Sequence, residues 1–155
     1  MPKLLIFAPC TSVMMDVLNG RWSVGSLIEA VLPMPLAENK DDPEYPKYMV
    51  EPILFFALWW CEPSDGLANL EQYIEMISPL GKVTTLVETV GFELAQHYHR
   101  VLQRTAPIGV SSLGIYQAVL KARPVGTEEW IEYARYPIQL QPVMVLTPDQ
   151  TQPVS

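Results

Sequence analysis

Histidine and cysteine are scarce in this chain of 155 residues, with two of each. Cys10 and Cys61 leave room for at most one disulfide, and both read as buried thiols. Cation is in short supply as well: ten Lys and Arg stand against seventeen Asp and Glu, a formal net charge of −7. The positive footprint that nucleic-acid phosphates require is missing, and the same balance disfavours an anionic membrane surface. Neither a nucleic-acid partner nor a membrane is expected. No apolar run reaches the length of a membrane helix, since Ile53 to Cys61 spans about half of one. The opening run, Leu4 to Ala8, is too short for the core of an export signal, and Pro9 replaces the small residue expected before a processed cysteine. It reads as a strand, with the cytoplasm as the expected location.

What the chain has is apolar content in short pieces. Hydrophobic residues make up 49% and charged residues 17%, a balance that excludes wholesale disorder. Fifteen prolines are spread along the length, and each removes a backbone donor and restricts φ, which argues against long helices. Short apolar segments alternate with turn residues, the pattern of an antiparallel β-sandwich or barrel. Asn19-Gly20 lies between two apolar arms and marks a hairpin, because both residues tolerate positive φ. The segment 33–52, rich in proline and charge, reads as a long surface loop. Residues 1–141 are expected to form one domain and 142–155 an extended tail.

The run from Ile53 to Cys61 is apolar on both faces, with Phe55, Ala57 and Trp59 on one and Phe56, Leu58 and Trp60 on the other. Such a strand needs a cover on each side, and the long loop or a partner protein can supply the second. Two strands joined at Pro79-Leu80-Gly81 follow, in which Glu71, Tyr73 and Glu75 alternate with Leu70, Ile74 and Met76. In "IYQAVLKA", Tyr116, Ala118 and Leu120 share a face, and "EEWIEYARYPIQL" supplies the last strand.

The pieces "CTSVMMDVLNGRWSVGSLIEAVLP", "ILFFALWWCEP", "LEQYIEMISPLGKV" and "PIGVSSLGIYQAVLKA" resemble a bacterial family of single-domain β-sandwiches of unknown function, over roughly Lys3 to Leu140. The resemblance implies an immunoglobulin- or C2-like outline and brings no catalytic residue with it. Leu113-Gly114-Ile115-Tyr116 is similar to the tyrosine corner of immunoglobulin-like sandwiches, with Gly114 and Tyr116 as its structural residues.

Catalytic chemistry finds little purchase. Gly91-x5-His97-x-His99 is similar to the first half of a metal-binding cupin motif, and residues two apart on a strand point to one face, so both imidazoles can reach one cation. Gln103 stands where that motif has glutamate, and no third histidine exists. A two-histidine, one-carboxylate iron site would have to borrow Glu93 or Glu88. No metal or other cofactor is expected, with His97 and His99 kept as the alternative. "GVSSLG" misses the nucleophile-elbow spacing and precedes a strand. No local feature at Cys10 indicates a lowered thiol pKa. Glu128-Glu129 and Asp41-Asp42 read as solvated turn residues, and no phosphate-cradling glycine loop is present.

Contact chemistry remains. Phe56, Trp59 and Trp60 are candidate interface anchors should one face of their strand stay uncovered, and Val143 and Val145 in the tail are candidates for pairing onto a sheet edge. The expected protein is an all-β, single-domain, non-catalytic binding or structural subunit whose partner is another protein or a second copy of itself. A small cupin-like metal enzyme and a self-assembling component of a phage or bacterial particle are the alternatives.

Overall fold

The computed structural model describes residues 1–62, 64, 68–94 and 97–142. These residues form strands and no α-helix: β1 (Lys3–Cys10), β2 (Val13–Met15), β3 (Trp22–Val24), β4 (Ala30–Val31), β5 (Met34–Pro35), β6 (Tyr48–Val50), β7 (Leu54–Trp60), β8 (Ala68–Ile77), β9 (Val83–Leu94), β10 (Tyr98–Arg104), β11 (Ile108–Val110), β12 (Gly114–Pro124) and β13 (Ile131–Leu140). The tail residues Val143 and Val145 lie outside the described residues.

The largest sheet has the order β4-β13-β12-β8-β9. Its period-two patterning is direct: Tyr116, Ala118, Leu120 and Ala122 of β12 all point inward at 3% exposure or less. The β8–β9 turn closes where expected, with Gly81 N donating to Ser78 O and Ser78 N to Lys82 O. One pair departs from an all-antiparallel expectation. β4 runs parallel to β13, with Ala30 opposite Gln139 and Val31 opposite Leu140. A parallel neighbour needs a long crossover, and the chain between β4 and β13 supplies it.

The facing layer consists of two three-stranded sheets, β1-β7-β10 and β11-β6-β5. They share one register. Arg104 faces Leu54, and four residues on in each strand Ile108 faces Val50. The ladder breaks around Pro52 and Pro107, which have no N–H to donate. Thr105 bridges the break: its N–H donates to Ile53 O, and its hydroxyl accepts from Ile53 N–H, both at 3.0 Å. The segment 33–52 is therefore more than a surface loop, because β5 and β6 lie within it and Val50 is buried.

Two hydrophobic clusters lie between these layers. One joins Val50, Ile53, Phe55, Ile108 and Val110 to Ile74, Met76, Tyr116, Ala118, Ile138 and Leu140. The other joins Ala57, Trp59 and Val101 to Leu70, Leu94, Leu120 and Ala122. Between them runs a buried polar chain. Trp59 Nε1 donates to Gln72 Oε1 (2.8 Å), Gln72 Nε2 to Gln103 Oε1 (2.6 Å), and Gln103 Nε2 to the Glu88 carbonyl (3.5 Å). Every polar side chain in that chain finds a partner, as burial demands. Cys10 and Cys61 are both buried; the register places them at opposite ends of the β1–β7 ladder, roughly 20 Å apart and beyond disulfide reach.

Candidate functional site

The alternation in β7 is as its sequence suggests, but its consequences differ from residue to residue. Phe55, Ala57 and Trp59 point into the core between the layers. Trp59 is fully buried, its ring 4.8 Å from that of Tyr133, so it is a core residue and not an interface anchor. Phe56 lies on the other face yet is 2% exposed, which removes it from any accessible surface. Trp60 alone of the three stays half-buried on the outer face, packed on Tyr98.

Register gives the rest of that outer face row by row. Lys3, Trp60 and Tyr98 form the first row; Ile6, Leu58 and Arg100 the second; Ala8, Phe56 and Leu102 the third; Cys10, Leu54 and Arg104 the fourth. The β2–β3 hairpin comes over this face. Its turn is the Asn19-Gly20 turn, with Gly20 at φ 67°, a conformation glycine adopts without steric cost. Asp16 fastens the turn by accepting from the Leu18 N–H and the Asn19 amide. Trp22 of β3 stands over Arg100, the guanidinium 5.0 Å from the ring centre. The hairpin thus covers part of this outer face, at Arg100 of β10.

The cover is incomplete. Ile6, Leu102 and Tyr98 on the sheet, with Met15, Trp22 and Val24 on the hairpin, are each between 36 and 49% exposed. At the hairpin tip Val17 is 86% and Leu18 99% exposed. Scattered exposed apolar residues need no explanation, but a contiguous group does. Beyond the fourth row the face runs into a cleft of about 650 Å³, whose walls include Ile28, Val31, Leu32, Met34 and Leu54. Arg104 and Glu51 also line it.

The two histidines do not share a face. His97 lies in a bend one residue before β10 begins, its ring 5.4 Å from Trp60 on the outer side. His99 points inward and stacks on Phe92 at 4.9 Å. The same-face spacing rule applies within a strand, and His97 precedes it. Gln103 is committed to Gln72. Among the described residues, no group of three or more His, Cys, Asp or Glu side chains is gathered as a metal site. Burial, and then the charge of Arg100, push the His99 pKa below the ordinary histidine value. Burial raises the pKa of the Cys10 thiol, the direction opposite to that of a reactive cysteine.

The remaining candidates are structural or solvated. The Tyr116 hydroxyl donates to the Ser112 carbonyl at 2.8 Å and lies 3.1 Å from its hydroxyl oxygen, which ties the loop to the start of β12. Gly114 has φ 129°, and a side chain there would press on Pro79. Asp41, Asp42, Glu128 and Glu129 are exposed. The outer face of the five-stranded sheet is charged but internally satisfied: Lys121 pairs with Glu75 at 2.7 Å, Arg123 with Glu71 at 2.9 Å, and Trp130 packs on both Tyr73 and Arg123.

Trp22, Met15 and Arg100 went unassigned by sequence reasoning. The signal lay in the hairpin itself, whose arms carry more apolar residues than a solvated ribbon needs. Comparison with known protein families and with curated proteins finds no match. No helix among the described residues is long and apolar enough to cross a membrane.

Proposed function

We propose that this chain is a non-catalytic binding or structural subunit, a β-sandwich of immunoglobulin- or C2-like outline that docks another protein through the outer face of β1-β7-β10 and the β2–β3 hairpin. One observation carries the reading: Ile6, Leu102, Tyr98, Met15, Trp22 and Val24 surround Arg100 as one partly open apolar surface. Aromatic and arginine residues in such a setting are the usual anchors of protein interfaces. Two core clusters between two layers, together with the Tyr116 tie, support the sandwich outline.

Native mass spectrometry of tagged protein recovered gently from its host tests the reading. The wild type is expected to carry an associated polypeptide that Leu102→Asp loses while its circular dichroism is unchanged. An unassociated monomer for both proteins contradicts the proposal, and a defined multimer of the chain alone replaces the heterologous partner with a second copy.

A further inference from the structure

The open face carries an excess of positive charge in an acidic protein. Arg21, Arg100 and Arg104 lie on or beside it, and none has a carboxylate within ion-pair distance among the described residues. Of the nearby acids, Asp16 is held by the hairpin turn and Glu62 by Lys3 at 3.0 Å, while Glu51 lies on the cleft wall. Arg100 and Arg104 are four residues apart on β10 and point the same way, a separation of roughly 13 Å along the strand. Leu102, 44% exposed, lies between them. The apolar cleft opens directly beyond Arg104, with Glu51 on its wall.

We infer that the partner segment is acidic and extended. It lays carboxylates four residues apart against Arg100 and Arg104, an apolar side chain between them on Leu102, and a neutral apolar anchor in the cleft. The match is geometric, because side chains two apart on an extended segment face one way at the spacing the face presents. Charge selects this partner over a second copy: a two-fold contact through the same face would bring arginines against arginines. Glu51 in the cleft wall disfavours an acidic anchor there. The inference rests on the proposed docking surface and adds the chemistry of what docks.

Fluorescence anisotropy tests it with two fluorescein-labelled peptides, Glu-Thr-Leu-Thr-Glu-Thr-Phe and Lys-Thr-Leu-Thr-Lys-Thr-Phe. The acidic peptide is expected to bind, more weakly as salt is raised, and the basic peptide not to bind. Arg104→Glu is expected to weaken the acidic peptide about tenfold or more. Arg104 makes no ion pair or side-chain hydrogen bond within the described residues, so this variant leaves the fold intact, whereas Arg100→Glu also removes the stack on Trp22. Equal binding of both peptides, or an Arg104→Glu variant with unchanged affinity, overturns the inference. If both peptides bind and Leu102→Asp abolishes both, the docking surface stands and its acidic preference falls. If neither binds and Leu102→Asp also leaves the host-derived assembly unchanged, surface and inference fall together.

Discussion

Gln72 and Gln103 join the two layers of the molecule through a 2.6 Å hydrogen bond in the middle of its core. Gln72 is 1% exposed and also accepts from the indole of Trp59. Truncating a member of such a chain strands its partners, and the cost of each orphaned buried group exceeds the net worth of the bond. Gln72→Leu is expected to destabilise the protein by about 2–5 kcal/mol, since it leaves both the Trp59 N–H and the Gln103 carbonyl unpaired. Urea unfolding measures this. A loss under about 0.5 kcal/mol would mean that the core relaxes around the change.

Thr105 is the stitch between the two small sheets of the facing layer. Thr105→Val keeps the shape and removes the hydroxyl, leaving the Ile53 N–H without its acceptor. The expected cost is about 1–2 kcal/mol, with backbone hydrogen exchange fastest at Ile53. Exchange unchanged at Ile53 contradicts the assignment.

Tyr116→Phe removes the donor to the Ser112 carbonyl and is expected to cost about 1 kcal/mol. Ser112→Ala keeps that bond and is expected to cost less. The reverse order in thermal unfolding would show that the hydroxyl contact, and not the carbonyl tie, holds the corner.

Acidification acts through His99. Its folded pKa lies below the usual value near 6.5, so below that pH the unfolded chain binds the proton first and the folded state loses stability. The groups that set the shift are the surrounding core, with Phe92 stacked on the ring, and Arg100 next in sequence. Between neutral pH and about pH 5, the wild type is expected to lose more stability than His99→Phe, which keeps the stack and cannot titrate. Parallel stability curves for the two proteins contradict this.

Much of the fold can be read from the residues. Asn19-Gly20, Pro79-Leu80-Gly81 and the two-sided apolar run of β7 each mark a local event that tertiary structure leaves intact. β5 and β6 escape because two- and three-residue strands between prolines carry no measurable period. The histidine pair misleads for a related reason: whether His97 shares a face with His99 depends on where β10 starts, and boundaries are set by long-range pairing. Phe56 and Trp60 have equal claim to exposure by parity. Their burial differs all the same, and no pattern within β7 encodes the difference.

Hydrogen–deuterium exchange on the complex recovered from the host locates the docking face on the molecule. A bound partner is expected to protect the amides of Val13–Val24 and Tyr98–Arg104 and to leave β12 and β13 as they are in the free protein. Protection confined to the outer face of the five-stranded sheet, with the hairpin unchanged, would contradict it.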